Sequence, residues 1–202
     1  EAHQGQGMHH SFADVERFAR IFDDPGRDAW QKPEKVVGLL GNVAGQTLVD
    51  LGAGTGYFLP YLSAAAGAEG RVIALDVEPN MVAHMEARIA EAELGNVSVK
   101  RCPPDAPGLP AASADVVLVV DTWHHFPDRE AYVGRLKDVL RPGGRVLVID
   151  FTLEAPMGPP PAMRLPARTV ARELASAGLP AEVLEETLPH QYAVLATAPL
   201  KP

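Results

Sequence analysis

The stretch Leu48-Val49-Asp50-Leu51-Gly52-Ala53-Gly54-Thr55-Gly56-Tyr57-Phe58 carries the strongest structural signal in the chain. An apolar run leads to an acidic residue, three alternate glycines follow, and a helical pattern then begins. This order predicts a β-strand, a tight turn and a helix. Because glycine lacks Cβ, the backbone of such a turn can take positive φ and approach a ligand closely, and the unpaired N–H groups at the start of the helix can donate to it. The stretch therefore predicts a small-molecule site, with an ordinary turn that binds nothing as the alternative.

The spacing of these glycines distinguishes two kinds of nucleotide site. A dinucleotide-binding turn needs the pattern Gly-x-Gly-x-x-Gly, and Tyr57 stands where its third glycine belongs. Asp50 would also repel a pyrophosphate, whereas a carboxylate at this position suits a ligand that carries an ammonium group. The pattern therefore disfavours a nicotinamide-dependent oxidoreductase, which stays as an alternative function.

Length and charge narrow the class of partner. A chain of 202 residues suits one domain with a small appendage. The net charge is −8, and nucleic-acid binding needs clustered Lys and Arg, so we expect a small-molecule substrate and no nucleic acid. No apolar run approaches the ~20 residues of a membrane helix, so no membrane partner is expected. We expect a cytoplasmic protein, with export as the alternative because the chain begins at Glu1 instead of Met. The sequence leaves the oligomeric state open.

Apolar runs alternate with helical patterns along the chain, which predicts an open α/β sheet with right-handed crossovers. The continuous apolar run at 116–120 is typical of a parallel strand that is covered on both faces. The last two strands are joined by a short connection and are expected to pair antiparallel. The predicted strands lie at 47–51, 70–76, 97–99, 115–121, 145–151, 183–188 and 191–197.

The chain is expected to divide into an amino-terminal cap and a main domain. Residues 1–32 form the cap, in which apolar residues recur at helical spacing from Phe12 to Phe22 and Ser11 is the expected N-cap. The main domain covers residues 33–202 and opens with a short helix at Pro33.

Three predicted strands end in an aspartate: Asp50 in the first, Asp76 in the second and Asp121 in the fourth. Ligands of open α/β sheets bind beyond the carboxyl ends of the strands. We therefore expect these three carboxylates to converge on one crevice. The alternative is that they carry no function, because a few of five strands could end in Asp by chance.

With these residues in view, the chain resembles the class I S-adenosylmethionine (SAM) dependent methyltransferases over about residues 33–198. The small-molecule, type 11-like branch is most similar, because it has a second Asp and a His-His pair after the fourth strand. The resemblance implies a Rossmann-like, doubly wound, seven-stranded and mostly parallel sheet of order 3-2-1-4-5-7-6 with strand 7 antiparallel. It also implies SAM as cofactor, S-adenosylhomocysteine as its product and a small-molecule methyl acceptor. A SAM-binding domain without catalysis is the alternative.

The resemblance also assigns residues to the cofactor. Asp50 would receive the amino group, directly or through water. Asp76 would accept hydrogen bonds from both ribose hydroxyls, since a carboxylate offers two acceptor oxygens to a cis-diol. Asp105 lies two positions beyond the family's usual adenine contact, so that contact is either shifted or lost. The other implied cofactor residues are Gly52, Ala53, Gly54 and Gly56 in the loop, Val77 and Met81 beside the adenine, and Asp121 and Thr122 at the methionine end.

The motif Asp121-Thr122-Trp123-His124-His125-Phe126 is expected to face the methyl group. His124 and His125 are the catalytic candidates, because histidine can accept a proton near pH 7. The alternative is that they only shape the pocket. A metal site is disfavoured, since no third ligand accompanies the pair at a helical or turn spacing. The single cysteine, Cys102, argues against the thiol-dependent arsenic methylation that this branch also contains.

Acceptor contacts are expected from two segments outside the main motifs. Trp30, Gln31 and Lys32, with His9 or His10, lie on the amino-terminal side, and Arg164 lies in a proline-rich loop. Trp30 could equally anchor its segment to the domain, and Arg164 could be a solvated loop charge. The sequence does not identify whether O, N, S or C is methylated.

Overall fold

The structure is a computed structural model that describes residues 15–185 and 188–200. Within these residues, helices and strands alternate as the sequence predicts. The helices are α1 (Val15–Phe22), α2 (Arg27–Gln31), α3 (Pro33–Gly38), α4 (Leu59–Ala66), α5 (Pro79–Glu91), α6 (Arg129–Val139) and α7 (Ala167–Ser176). The strands are β1 (Thr47–Leu51), β2 (Arg71–Asp76), β3 (Val97–Arg101), β4 (Ala114–Val120), β5 (Leu140–Phe151), β6 (Ala181–Val183) and β7 (Gln191–Thr197). Short 3-10 turns at Trp123–His125 and Pro161–Met163 follow β4 and β5.

The strands form one seven-stranded sheet in the order β3-β2-β1-β4-β5-β7-β6. The pairs from β3 through β5 are parallel, whereas β7 is antiparallel to both β5 and β6. This confirms the expected Rossmann-like doubly wound sheet, including its strand order. All five residues of β1 are buried, as a parallel sheet that is covered on both faces requires.

Helices cover both faces of this sheet. On one face Val36 of α3, Leu59 of α4 and Met85 of α5 belong to one buried cluster. On the other face, Leu136 of α6 and Leu174 of α7 belong to a second cluster. Each of these side chains is fully buried, and burying one such side chain stabilises the fold by about 1.5–3 kcal/mol. The two layers fix the strands, and therefore the strand ends, in place.

The carboxyl ends of four neighbouring strands carry acidic residues. Asp76 is the last residue of β2, and Asp50 and Asp150 are the last but one of β1 and β5. Asp121 directly follows β4, and its backbone N–H donates to the carbonyl of Ile149 at 2.9 Å. The expected convergence of carboxylates therefore includes a fourth member, Asp150, at the edge where open α/β sheets bind ligands.

Local boundaries differ from the expectation in three places. The helix α2 forms in a stretch to which the sequence assigns no helix. The strand expected at 183–188 is instead Ala181–Val183, although it pairs with β7 as expected. The strand expected at 145–151 begins earlier, at Leu140, and its pairing with β4 shifts register between Ala114 and Val116. A bulge of this kind absorbs extra residues without ending the strand.

Some expectations fall outside the part of the chain that the structure describes, namely those for His9, His10 and Ser11. Among residues 15–185 and 188–200, every helix is too short or too polar to cross a bilayer.

Candidate active site

The glycine loop between β1 and α4 is held close to two neighbouring strands. The N–H groups of Gly52 and Ala53 donate to the carbonyl of Leu75 at 2.8 and 2.9 Å. Gly52 has a φ of +75°, and a Cβ at this position would collide with the side chain of Thr122. Glycine is therefore required here both for the backbone conformation and for the contact. Thr122 therefore lies against the loop, and its contact with the methionine end of the cofactor stays a prediction.

Asp50 lies beneath this loop with an unsatisfied acceptor. It is 3% exposed, and its Oδ2 has no hydrogen-bond partner among the described residues. Burial raises the pKa of this carboxyl to about 7, although the charge of Arg27 opposes the shift. A buried acceptor without a donor is costly, and an ammonium group would satisfy it. Asp50 therefore fits the amino group of SAM.

Asp76 is tied to the loop by backbone groups. Its Oδ2 accepts from Gly54 N at 2.9 Å and its Oδ1 accepts from Glu78 N at 3.0 Å. Burial raises the pKa of this carboxyl, and the two backbone N–H groups oppose that shift. Each carboxylate oxygen still has a second lone pair, so the group can accept from a ribose diol while it holds the loop.

The residues expected beside the adenine have different surroundings. Val77 is 38% exposed, whereas Met81 is fully buried in the first turn of α5. Asp105 is exposed, and its carboxylate lies 3.2 Å from Nη1 of Arg135. The structure thus gives Asp105 a partner on α6, and its contact with adenine stays a prediction.

Asp121 has an uncommon backbone conformation, with a φ of +52°. Its Oδ1 accepts from Nε2 of Gln191 at 2.6 Å. Burial and the charge of Asp150 raise the pKa of the Asp121 carboxyl to about 7, and Arg27 opposes the shift. Left-handed backbone at a non-glycine residue costs energy and is often found at functional sites.

His124 forms a buried pair with Asp150. Its Nδ1 lies 2.9 Å from Oδ2 of Asp150, and the two side chains are 3% and 2% exposed. The other Asp150 oxygen accepts from the backbone N–H of Phe151 at 2.8 Å. His125 is exposed, and its ring centroid lies 4.2 Å from that of His124. The two histidines are equal candidates in the sequence analysis, but in the structure His124 is paired with Asp150 and His125 is exposed.

Asp150 is a site residue that the sequence analysis does not name, although the sequence shows the same pattern there as at the other three acids. Like the other three acids, it follows an apolar run, in this case Val146 to Ile149. Gln191 has no such signal, because its contact with Asp121 joins residues that are 70 positions apart.

The three residues expected in the acceptor pocket, Trp30, Lys32 and Arg164, have different surroundings. The ring of Trp30 packs against that of Phe151 with centroids 5.6 Å apart, and Phe151 directly follows Asp150 in β5. Lys32 is exposed at the junction of α2 and α3 and has a φ of +49°. Arg164 donates to backbone carbonyls of its own loop, those of Leu153, Ala155, Met157 and Pro159. We therefore assign Arg164 to the structure of the proline-rich loop.

Arg27 and Gln31 connect the amino-terminal segment to this site. Nε and Nη2 of Arg27 donate to Oε1 of Gln31 at 3.2 and 3.0 Å, and Gln31 Nε2 donates to Oε1 of Gln191 at 2.5 Å. Gln191 donates in turn to Asp121. Gln31 is fully buried and Arg27 is 9% exposed. A directed chain of hydrogen bonds thus runs from a buried cation to a carboxylate at the strand ends.

The segment of α1 and α2 covers the glycine loop. Two ring carbons of Phe22 lie 3.6 and 3.7 Å from the position that a Cβ on Gly54 would occupy. Asp23 Oδ1 accepts from Thr55 Oγ1 at 3.0 Å and from Arg88 Nη1 at 2.8 Å. The amino-terminal segment therefore contacts the glycine loop at both Gly54 and Thr55.

Comparison with known proteins identifies the family. Residues 49–148 match a family model described as a methyltransferase domain. A solved structure of a SAM-dependent methyltransferase from Aquifex aeolicus is 31% identical, has a TM-score of 0.85, and covers 91% of this chain and 98% of that one. Nocamycin O-methyltransferase of Saccharothrix syringae is 33% identical over 74% of this chain and 51% of the relative. The 27-O-demethylrifamycin SV methyltransferase of Amycolatopsis mediterranei is 31% identical over 74% of this chain and 53% of the relative.

This chain thus spans about half the length of the curated relatives that it matches, whereas it overlaps the Aquifex aeolicus structure almost end to end. The matched domain model and that overlap show that the chain belongs to the class I SAM-dependent methyltransferases.

Proposed function

We propose that this chain transfers a methyl group from SAM to a hydroxyl group of a small organic molecule, with His124 as general base. The observation that carries the proposal is the buried pair of His124 and Asp150, whose facing atoms lie 2.9 Å apart at the carboxyl end of β5. The name of one relative, nocamycin O-methyltransferase, specifies an oxygen acceptor, which supports the choice of a hydroxyl group.

Asp150 prepares His124 to accept a proton. A carboxylate only accepts hydrogen bonds, so Nδ1 of His124 carries the proton that it donates to Asp150. This tautomer leaves Nε2 as the basic nitrogen. The negative charge of Asp150 also stabilises the imidazolium that forms when Nε2 takes a second proton.

The reaction needs little more than this base and correct orientation. When bound, SAM supplies a methyl group on a sulfonium, whose C–S bond breaks with the electron pair left on sulfur. The acceptor oxygen forms the new C–O bond with a lone pair, and its proton passes to Nε2 of His124. Orientation can contribute ~7–11 kcal/mol, and a general base contributes about 10²–10⁴-fold.

The rest of the chain supports this reaction by binding and by exclusion of water. Asp50 offers the amino group a buried oxygen that has no hydrogen-bond partner in the described part of the chain, and Asp76 keeps lone pairs for the ribose hydroxyls. We assign residues 33–202 to the transfer domain and residues 1–32 to a cap, of which α1 and α2 lie over the glycine loop. Trp30, packed on Phe151, supplies an apolar wall for the acceptor.

The test is a transfer assay with methyl-tritiated SAM and a metabolite extract that is fractionated into alcohols, phenols, amines and thiols. We expect label in hydroxyl-bearing compounds. His124→Gln and Asp150→Asn should lower kcat by about 10²–10⁴-fold, while the affinity for SAM, measured by calorimetry, stays within a factor of about three.

His125→Gln serves as the comparison variant, because His125 is exposed and Asp150 pairs with its neighbour. It should lose much less activity than His124→Gln. A wild-type rate in His124→Gln would refute the role of the base. Label that appears only in amines, thiols or carbon-methylated products would refute the hydroxyl acceptor.

A further inference from the structure

The turn that carries His124 is short and has few backbone hydrogen bonds to hold it. It is a single 3-10 turn of three residues, Trp123–His125, which follows β4. Its N–H groups bond within the turn, that of His125 to the carbonyl of Thr122 at 2.9 Å. Hydrogen bonds in such turns have poorer geometry than those of an α-helix. The orientation of the turn therefore depends on what its side chains contact.

Trp123, the residue before His124, is held on the face of the sheet that α6 and α7 cover. Its side chain is fully buried in the apolar cluster that includes Leu136 of α6 and Leu174 of α7. Its Nε1 donates to Oε2 of Glu173 on α7 at 2.8 Å. An indole N–H can only donate, and a buried donor without an acceptor is costly. The bond to Glu173 therefore fixes the rotation of the indole ring within the cluster.

Glu173 is in turn held by a cation. Nε of Arg129, the first residue of α6, donates to both carboxylate oxygens of Glu173, each at 2.9 Å. Oε2 of Glu173 therefore accepts from Arg129 and from Trp123 at once. The carboxylate of Glu173 thus joins α6, α7 and the turn after β4.

Two carboxylates on different elements therefore hold adjacent residues of the turn. Asp150 on β5 pairs with the ring of His124, and Glu173 on α7 accepts from the ring of Trp123. A general base must come within hydrogen-bond distance of the proton that it takes, and a misplacement of about 1 Å can lower the rate by about 10²-fold. Because the two rings are carried by neighbouring residues, a turned Trp123 would also move His124 away from Asp150.

We propose that Glu173 is a positioning residue, which holds His124 against Asp150 by fixing the indole of Trp123. The proposal rests on His124 as the base of the proposed function. Glu173 acts through the position of its oxygen and not through its charge, because Arg129 pairs with that charge and because Oε2 alone accepts from both donors. A neutral amide oxygen at the same place should therefore hold the indole as well.

The test observes the ring of His124 directly, by ¹H–¹⁵N NMR of the protein without SAM or acceptor and at one pH for all variants. The Nδ1–H proton that is bonded to Asp150 should give a downfield resonance, identified by its absence from His124→Gln. Glu173→Met should remove this resonance through exchange with water and lower kcat by about 10–100-fold, while the affinity for SAM, measured by calorimetry, stays within a factor of about three. Glu173→Gln should keep the resonance and most of the rate.

A double-mutant cycle shows whether Glu173 acts through Trp123. Trp123→Phe removes the indole N–H and keeps an aromatic ring in the cluster, so it should remove the same resonance. Residues that act through one hydrogen bond are not additive. The kcat of the double variant Glu173→Met/Trp123→Phe should therefore lie within about threefold of the lower single variant. A loss equal to the product of the two separate losses would show that the residues act independently and would overturn the proposal.

Arg172→Met is the matched control, because Arg172 is the exposed charged neighbour of Glu173 and donates within its own helix, to Oγ1 of Thr169 at 3.4 Å. It should keep both the resonance and the rate. The proposal is overturned if Glu173→Met keeps the wild-type resonance, or if Glu173→Gln or Arg172→Met loses it to the same extent. The resonance is measured without an acceptor. Failure of hydroxyl methylation, or a wild-type rate in His124→Gln, would therefore contradict the proposed function and leave the result for Glu173 unchanged.

Discussion

Asp50 is the residue of the site at which charge, burial and an unused hydrogen-bond acceptor coincide. Burial raises the pKa of its carboxyl to about 7, so the ionised form that suits an ammonium group is disfavoured until a ligand or a high pH restores it. An apolar residue would avoid this cost. We infer that the carboxyl is retained for the ligand.

The affinity for SAM should therefore depend on pH. As pH rises through about 7, Asp50 ionises in the free protein and its attraction for the ammonium group increases. We expect SAM to bind several-fold more tightly at pH 8 than at pH 6. Asp50→Asn should weaken SAM binding at pH 8, by about 1.5–3 kcal/mol for a lost bond to a charged group, and should remove most of the pH dependence. Calorimetry at pH 6, 7 and 8 measures both effects.

Ionisation of Asp121 could also make the affinity for SAM depend on pH, since burial raises the pKa of its carboxyl to about 7 as well. 5′-Methylthioadenosine has no ammonium group, so its affinity should show little of this dependence. If Asp50→Asn kept the full pH dependence, the titration would belong to Asp121 instead.

At the level of elements, the segment of α1 and α2 is fastened to the domain by two different contacts. One is the partly exposed group of Asp23, Thr55 and Arg88, in which the ion pair has side chains about 28–29% exposed. The other is the buried contact of Gln31 with Gln191 on β7. Partly exposed ion pairs stabilise proteins by only about 0–1 kcal/mol. The first contact is therefore the one that can open without unfolding the domain.

Arg88→Met should loosen the segment and leave the rest of the fold intact. We expect faster amide hydrogen exchange in residues 15–31, which local opening controls, and a faster association of SAM. The free energy of unfolding should change by less than about 1 kcal/mol. Arg135→Met is the matched control, because it breaks an exposed ion pair, that with Asp105, which includes no residue of the segment. Equal exchange in residues 15–31 of both variants would mean that the pair with Asp23 does not fasten the segment.

The main elements of the fold could be predicted because each leaves a local pattern in the sequence. The run from Val116 to Val120 is apolar throughout, and it forms a central strand. The helix α2 could not be predicted in this way. It has only five residues, and two of them, Arg27 and Gln31, are polar yet buried. Their burial depends on partners in distant parts of the chain, which no local period reveals.

For the molecule as a whole, the site also has one part that local sequence patterns predict and another that depends on contacts between distant residues. The acids at strand ends could be predicted, because the topology of a parallel sheet brings such ends to one edge. The chain of hydrogen bonds from Arg27 to Asp121 could not, since it joins Gln31 to Gln191 across 160 positions. Contacts of this kind exist only once the amino-terminal segment and the last strand have packed against each other.

The stability of the whole molecule should reflect the acids that the site keeps buried. The folded protein holds a proton on Asp50 up to a pKa of about 7, whereas the unfolded chain releases it near the ordinary value of about 4. Stability is therefore lost as pH rises between these values and stays low above them. Asp50→Asn removes this loss, so the variant without ligand should gain stability relative to the wild type between pH 5 and pH 8, by roughly 1–3 kcal/mol. Urea unfolding at both pH values measures the gap, which is the free energy of unfolding of Asp50→Asn minus that of the wild type. A constant gap would show that Asp50 is ionised throughout, and saturating SAM should shrink the gap at pH 8 because it stabilises the ionised wild type.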